Sequence, residues 1–514
     1  MHNSADSDRF RVGLALLIPV YGRNGLFFAS ETSTLLPAPP PLLVSYITFH
    51  KSVRRPNFGL HPNFGRCPKM SPLQIVRLLC LYTIALFSTL FFLFSTPLFG
   101  GDWTTWRGPK MDGTTDESQV PVRWDHEKNV AWKVALPGPG NSSPIVVNDQ
   151  VLITQSESDG KTRSLVSFST ADGKQRWKFT VAVDAPEPTH PTNPHCAGSP
   201  ASDGKYVIAM LGAAGVVCCD LEGRLLWKKE LGSPQHLFGQ GASPMIYQDV
   251  CILNYGPGKE QFFIGLSLDD GSELWRIEIP QSDAPNPFDQ PGGPQLPPGS
   301  TLRDPFGTWA TPIVRKNDDQ PAEVLLSLPK SLRAVSPRDG KTVWECAGNG
   351  DQVLPSPIAN QEYVACLGGS AFVVKPQGNG DQLANRLWHT ENDNQRIGTG
   401  LIYNGKIYVT TIQGVLECLS LQSGDRIWHR RLSRSSSGGT TWSSLVRAGT
   451  KIYAIDQSGT THIYELEPEF LEISSNPLGE PTNATPAIAN GRIYIRTDMH
   501  LWCISEGSSL PKSN

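Results

Sequence analysis

Short apolar runs rich in β-branched residues recur along the chain after position 101, and each is bounded by polar turn residues. Lys406-Ile407-Tyr408-Val409 is typical, because it follows an Asn-Gly turn and precedes another short run. Runs of this length between turn residues predict short antiparallel strands. Since this part of the sequence has no long amphipathic helical pattern, we expect an all-β protein.

Seven tryptophans recur through the same region at separations of 45, 50, 48, 69, 44 and 40 residues, and five of them lie four residues after a glycine. They are Trp132, Trp177, Trp227, Trp275, Trp344, Trp388 and Trp428. Self-similarity at such a period indicates modules that cannot bury their apolar faces alone and must stack on their neighbours. The glycines supply the positive φ that a tight hairpin turn needs.

A second marker alternates with the tryptophans, namely a Ser/Thr-Pro or similar pair that opens a short strand. Eight are present: Ser143-Pro144, Ser199-Pro200, Ser243-Pro244, Thr311-Pro312, Ser356-Pro357, Gly400-Leu401, Ser444-Leu445 and Thr485-Pro486. Each unit then contains four short strands, and the last strand usually carries the tryptophan. Eight such units predict an eight-bladed β-propeller of four-stranded antiparallel blades.

The two ends of the repeat region complement each other. The eighth unit stops without a tryptophan strand, whereas Asn129-Val130-Ala131-Trp132-Lys133-Val134 precedes the first marker and matches that strand in type. We therefore expect the N- and C-terminal strands to pair and close the ring, which removes an open sheet edge. A pair of β-sandwiches and a seven-bladed ring are the alternatives, the latter because the seventh unit lacks its tryptophan.

Composition and charge add little about partners. The chain has 48 glycines and 43 prolines, as expected for many short strands and turns, and its formal charge of −3 gives no basic field for nucleic acid. The cysteines do not have the spacing of a disulfide framework or of paired metal ligands. A zinc site from His190, His195, Cys196 and His236 matches no ligand pattern.

The strongest apolar run is 78–94, which follows Arg77 and precedes a Ser-Thr-Pro segment. It predicts an export signal within 70–100, or alternatively a retained membrane anchor. Residues 1–69 are interpreted as a mis-set start or a disordered leader, with a cytoplasmic tail as the alternative. The remaining divisions are an N-terminal extension at 101–128, the propeller at 129–507 and a tail at 508–514.

The segments Asp172-Gly173-Lys174-Gln175-Arg176-Trp177 and Asp339-Gly340-Lys341-Thr342-Val343-Trp344 resemble the tryptophan-docking repeat of pyrroloquinoline quinone (PQQ) dehydrogenases. The resemblance spans about 130–507. It implies an eight-bladed propeller in which the seven tryptophans pack between neighbouring blades. The superfamily also contains non-catalytic members such as the lipoprotein BamB, so the resemblance specifies the fold more strongly than the activity.

The same resemblance raises the question of a PQQ site, in which a calcium ion, a catalytic Asp and a vicinal disulfide accompany the cofactor. Cys218-Cys219 could mimic that disulfide, but the repeat places both in a strand, facing opposite sides of the sheet. No convincing set of Glu, Asn and Asp residues for calcium is found. We therefore expect no catalytic residues, no metal and no cofactor, with PQQ and calcium as the alternative.

Two proline-rich insertions, 186–195 and 281–307, precede inner strands and select one face of the propeller as the interaction surface. The residues ahead of the inner strands are expected to surround the channel mouth and to bind a ligand. They are Asn141, His195, Gln240, Trp309, Asp351, Arg396, Trp442 and Asn483. The alternative is that such polar groups only bind ordered water.

Together these observations predict an exported protein of the periplasm or cell envelope that acts as a non-catalytic binding scaffold. Its partner would be an envelope protein, a small ligand or a glycan held by Trp309 and Trp442, with no nucleic acid. The alternative function is a PQQ-dependent oxidoreductase of alcohols or sugars.

Overall fold

The computed structural model describes residues 101–510, except 237, 259, 281–305, 318–319, 392, 394 and 433–438. The predicted leader and export segment lie outside the described residues, as does most of the second insertion. Within the described part, no helix is long and apolar enough to cross a membrane. Short 3-10 turns occur among the described residues at Gly212–Ala214 and Leu383–Asn385.

The strands form a ring of blades, each a four-stranded antiparallel meander. Two strands come before the first complete blade: β1 (Thr114–Thr115) and β2 (Lys128–Ala135). Blade 1 contains β3 (Ile145–Val147), β4 (Gln150–Ser156), β5 (Thr162–Ser169) and β6 (Gln175–Ala182). Blade 2 contains β7 (Ala201–Ser202), β8 (Tyr206–Met210), β9 (Val216–Asp220) and β10 (Leu225–Lys229). Blade 3 contains β11 (Met245–Tyr247), β12 (Val250–Tyr255), β13 (Phe262–Ser267) and β14 (Glu273–Glu278).

The next blades follow the same order, with short accessory strands between them. After β15 (Gly307–Thr308), blade 4 contains β16 (Ile313–Asn317), β17 (Gln320–Leu328), β18 (Ser331–Val335) and β19 (Thr342–Ala347). After β20 (Gln352–Val353), blade 5 contains β21 (Ile358–Ala359), β22 (Val364–Leu367), β23 (Ala371–Val374) and β25 (Arg386–Thr390), with β24 (Gly380–Asp381) added to blade 4. Blade 6 contains β26 (Leu401–Tyr403), β27 (Lys406–Thr410), β28 (Val415–Ser420) and β29 (Arg426–Arg431).

The ring closes as predicted. Blade 7 contains β30 (Val446–Ala448), β31 (Lys451–Ile455), β32 (Thr460–Glu465) and β33 (Leu471–Pro477). Blade 8 contains β34 (Ala487–Ala489), β35 (Arg492–Arg496) and β36 (His500–Ser509), and β2 supplies its outer strand by pairing antiparallel to β36. The prediction of eight blades with paired terminal strands is therefore confirmed for the described part of the chain.

The hydrophobic core lies between blades, because both faces of each sheet are covered. In β9, Cys219 packs with Leu152 and Leu165 of blade 1, whereas Cys218 packs with Cys251 and Leu253 of blade 3. This alternation is the two-residue period of a strand. Both thiols are free and buried, and burial raises the pKa of each to about 12. They are structural strand residues.

Five of the tryptophans join neighbouring blades in the same way. Each indole N–H donates to a backbone carbonyl in the glycine turn of the next blade, over 2.7 to 3.0 Å. The donor and acceptor pairs are Trp132 with Thr170, Trp177 with Leu221, Trp227 with Leu268, Trp275 with Pro337, and Trp388 with Leu421. The turn glycine lies under the indole, so that a Cβ there would come within 2.5 to 2.9 Å of the ring.

The other two tryptophans pack differently because the following blade lacks this turn. Trp344 donates to Glu323 Oε2 of its own blade at 2.8 Å. Trp428 packs against Phe470 of blade 7, with ring centroids 4.0 Å apart. In blade 7, which lacks a glycine turn, Phe470 therefore supplies the surface against which the tryptophan of the preceding blade packs.

Candidate functional site

A ring of hydroxyl groups lines the central channel, and every blade contributes one. Each side-chain oxygen accepts the backbone N–H of its counterpart in the preceding blade, over 2.8 to 3.0 Å, and the last bond returns to the first blade. The members of this hydroxyl ring are Ser143, Ser199, Ser243, Thr311, Ser356, Thr399, Ser444 and Thr485. Seven are the first residues of the predicted markers. In the sixth marker the ring residue is Thr399, one position before Gly400-Leu401.

The channel mouth is lined by the residues two positions before the hydroxyl ring, since alternate residues of an extended segment point the same way. They are Asn141, Ala197, Gly241, Trp309, Leu354, Ile397, Trp442 and Asn483. The ring and this mouth layer surround a cavity of about 350 Å³, whose lining also includes Phe238, Gln352 and Gln395. Four of the eight residues predicted for the mouth, namely Asn141, Trp309, Trp442 and Asn483, lie there.

The structure places the other four predicted residues outside the cavity. His195 Nε2 lies 2.9 Å from the Glu187 carbonyl oxygen, behind the mouth. Gln240 has its side-chain amide buried beside this histidine, in a small separate cavity. Asp351 forms an ion pair with Lys330 at 2.7 Å on the surface.

Arg396, the fourth, is fully buried and forms ion pairs with Asp393 and Glu417 at 2.6 and 2.8 Å. Counting back two residues from each hydroxyl would have selected Ala197, Gly241, Leu354 and Ile397 instead. Polarity does not identify these four mouth residues, because their side chains are small or apolar and they line the mouth through their backbone position.

The insertion 186–195 reaches over the mouth, as its length suggested. Asn141 and Asn483 both donate to the Thr192 carbonyl oxygen, at 3.0 and 3.2 Å. Asn193 in turn donates to the carbonyl oxygens of Phe238 and Gln240 at 2.7 and 2.9 Å. These amides therefore hold the insertion across blades 8, 1 and 3, and much of their hydrogen-bonding capacity is used by the protein itself.

The N-terminal extension crosses the opposite side of the hydroxyl ring. Arg107 is fully buried and donates to the carbonyl oxygens of Leu445 and Gly400 at 2.6 and 2.5 Å. Gly400 and Leu445 come one position after the ring residues Thr399 and Ser444, whereas the mouth residues come two positions before the ring residues. Arg107 therefore lies on the side of the ring away from the mouth. Trp106 beside it lines the cavity and forms its floor.

Further contacts extend this crossing over the face of the ring away from the mouth. Trp103 pairs with Val146 of blade 1, Met111 packs against blades 3 to 5, and β1 adds in parallel to β30 of blade 7. Burial lowers the pKa of Arg107 to about 10, a range in which the guanidinium is still charged at neutral pH. Its charge is met by backbone dipoles and by Asp112.

No charged side chain is present among the described residues that line the cavity. Its walls combine the indoles of Trp106, Trp309 and Trp442 with hydroxyl and amide groups. Trp309 is fixed by donating its indole N–H to the Gly239 carbonyl oxygen at 3.0 Å and by an edge contact from His236. Within the described part of the chain, no three His, Cys, Asp or Glu side chains are close enough together to hold a metal ion. Among the described lining residues there are groups that can bind a ligand, but no carboxylate, imidazole or amine that could act as a general acid or base.

A hydrogen-bonded Ser475, His462 and Asp456 series lies outside the cavity, on blade 7. His462 Nδ1 is 3.0 Å from Ser475 Oγ, and His462 Nε2 is 3.0 Å from Asp456 Oδ2. Ser475 and His462 are cross-strand partners, and Asp456 also accepts the backbone N–H groups of Ser458 and Thr460. These hydrogen bonds connect the β31–β32 turn to the hairpin formed by β32 and β33.

We expect Asp456→Asn to lower the free energy of unfolding at pH 7 by about 1 to 3 kcal/mol, because it weakens this buried network. Burial acts to raise the pKa of Asp456, but hydrogen bonds from His462 and Ser458 outweigh it and leave the pKa below its usual 3.8. The carboxylate therefore stabilises the fold above pH 3.8, and this contribution is lost as the pH falls through the lower folded value. Urea unfolding of both proteins should show the difference shrinking below pH 3.8, whereas Asp425→Asn on the exposed β28–β29 turn should change little. A difference that grows in acid would contradict this role.

Comparison with known proteins agrees with the propeller. The solved structure of BamB from Moraxella catarrhalis is 14% identical, with a TM-score of 0.50 over 74% of this chain and 98% of that one. A quinohemoprotein alcohol dehydrogenase from Comamonas testosteroni is 11% identical, with a TM-score of 0.55 over 80% and 82%. A europium-containing methanol dehydrogenase is 11% identical, with a TM-score of 0.54 over 77% and 89%. At these identities the likeness shows the fold alone.

The sequence itself matches one family model. No curated protein matches the chain significantly. The family model described as outer membrane protein assembly factor BamB matches residues 114–255 and 324–509, which include β1, blades 1 and 2, and most of blades 4 to 8. Because the two segments amount to more than half of the chain, the protein belongs to this family of PQQ-like repeat propellers.

Proposed function

We propose that the protein is a non-catalytic binding propeller of the cell envelope, which holds a ligand or a partner segment in the cavity at the channel mouth. The observation that carries this proposal is the cavity lining, where indoles, amides and hydroxyls meet without a charged group among the described residues. Pockets of a few hundred Å³ with apolar walls and a few polar groups are typical binding sites. The same lining has no side chain that transfers protons near neutral pH.

The alternative, a quinoprotein oxidoreductase, has little support in the same residues. Calcium takes six or more oxygen ligands, normally with carboxylates among them. The described lining residues provide hydroxyl and amide oxygens but no carboxylate. Cys218 and Cys219 face opposite sides of β9 and belong to two different interblade clusters, so they do not form a vicinal disulfide against a cofactor. The described residues of the cavity therefore give no support to a site for PQQ with calcium.

A location in the envelope is supported by two separate observations. The family description refers to the assembly of outer membrane proteins. The sequence pattern at 70–100 is that of an export signal or an anchor. Electrostatics favour a protein or small-molecule partner over nucleic acid, because the formal charge is −3.

The proposal is tested by photo-crosslinking the full chain in cells. The protein is then purified away from unbound material, and the yield of crosslinked product is measured. We expect a crosslinked envelope component whose yield falls several-fold in Trp442→Ala, while Tyr363→Ala, which lies outside the cavity, leaves the yield unchanged. After incubation with PQQ and calcium followed by desalting, we expect no retained quinone absorbance and no dye reduction with alcohols or aldoses. Retained quinone together with turnover would contradict the non-catalytic function.

A further inference from the structure

The hydroxyl ring has unused donors. A serine or threonine hydroxyl has one hydrogen and two lone pairs, and in this ring the backbone N–H of the preceding blade occupies a lone pair. None of the ring hydroxyls donates to an acceptor among the described residues, and every ring residue lines the cavity. The ring therefore presents a circle of O–H donors to whatever enters.

The cavity also discriminates against charge. A buried ion without a partner is costly, and the described lining offers neither a cation nor an anion to compensate it. A fully apolar ligand would leave the ring hydroxyls without acceptors, and each buried donor that loses its water in this way weakens binding. The favoured ligand is thus uncharged and rich in oxygen acceptors.

Aromatic rings stand at both ends of the cavity. Trp309 and Trp442 lie in the mouth layer, two positions before Thr311 and Ser444 of the hydroxyl ring, and Trp106 forms the floor. The indole N–H of Trp442 has no acceptor within the described part of the chain, so it adds a further donor at the entrance. Flat apolar faces above and below a ring of donors suit a molecule with C–H faces and a polar perimeter.

We propose that the cavity binds an uncharged saccharide, with sugar rings against Trp309 and Trp442 and sugar oxygens accepting hydrogen bonds from the hydroxyl ring. This inference rests on the proposed function and names the ligand class of the same site. A cavity of about 350 Å³ holds a ligand of about one or two sugar rings. A longer glycan would enter by its end, because Trp106 and Arg107 occupy the far side of the ring.

The test uses the full chain and isothermal titration with cellobiose, maltotriose, laminaribiose, N-acetylchitobiose and methyl α-mannoside, together with a neutral glycan array. Digalacturonate serves as the charged counterpart. We expect at least one neutral saccharide to bind and to change tryptophan fluorescence, with affinity at least tenfold weaker in Trp442→Ala and in Trp309→Ala. Trp442→Phe should restore part of the affinity, and Tyr363→Ala should have no effect.

Unfolding curves of each variant separate lost binding from lost folding. Absence of binding by every neutral saccharide to the folded protein would overturn the saccharide assignment. Equal binding of digalacturonate, or binding unchanged in both tryptophan variants, would overturn it as well. If crosslinking to an envelope protein still depends on Trp442 in that case, the site takes a protein segment, and the proposed function stands without this inference.

Discussion

Ending the chain after Thr497 is expected to abolish the folded ring, because it removes β36 from between β35 and β2. The deletion takes away four side chains that are fully buried in blade 8, Leu501, Trp502, Cys503 and Ile504. At roughly 1.5 to 3 kcal/mol for each, their loss costs about 6 to 12 kcal/mol, which is comparable to the whole stability of a typical domain. The result should be an aggregation-prone protein without a cooperative unfolding transition.

Circular dichroism during heating and size-exclusion chromatography would measure this effect. A deletion of only 511–514 is the matched control, since β36 ends at Ser509. A truncated protein that stays monomeric and unfolds cooperatively would show that the ring does not depend on its terminal pairing.

Gly424→Ala is expected to destabilise the protein by about 2 to 4 kcal/mol, through two additive causes. Gly424 has φ +76°, a left-handed conformation that costs an L-residue roughly 1 to 2 kcal/mol. Its new Cβ would also lie 2.7 Å from the Trp388 ring and push the indole away from the Leu421 carbonyl oxygen, to which it now donates at 3.0 Å. Both effects loosen the junction between blades 5 and 6.

Gly405→Ala in the same blade separates the two causes. Gly405 has φ +69° and no atom within 4 Å of a new Cβ, so that only the backbone cost applies. Denaturant unfolding of both variants should place Gly424→Ala at least about 1 kcal/mol below Gly405→Ala. Equal losses in the two variants would mean that the indole contact adds nothing to stability.

The sequence predicted the architecture well because the repeat is imposed by packing that recurs around the ring: all eight blades share the hydroxyl contact, and five junctions share the contact between an indole and a glycine turn. A glycine turn must accept the indole of the previous blade, and a hydroxyl must accept the N–H of its counterpart. Both requirements therefore leave regularly spaced residues, such as Gly173 and Ser143. The pairing of β2 with β36 followed from the same logic, since an eighth unit without an outer strand leaves an open edge.

The candidate site was only half predictable, for a physical reason. Trp309 and Trp442 were found because large aromatics ahead of a marker are conspicuous, whereas Ala197 and Gly241 line the mouth through backbone position alone. Arg396, one position out of register, is instead used in buried ion pairs. Trp106, which forms the floor of the cavity, belongs to the N-terminal extension and not to a repeat unit. The periodicity of the repeats therefore could not predict that this segment crosses the ring.

The N-terminal extension also has a consequence for the order in which the molecule forms. Its residues are synthesised before every blade they touch, but Arg447 of blade 7 must be present before its N–H can donate to the Gly113 carbonyl oxygen. Arg107 likewise depends on acceptors at positions 400 and 445. In pulse-labelling hydrogen exchange, protection of the Arg447 amide should therefore appear only after the amides of blade 6 and of the other strands of blade 7 are protected. The first described segment to leave the ribosome would be among the last to reach its native place.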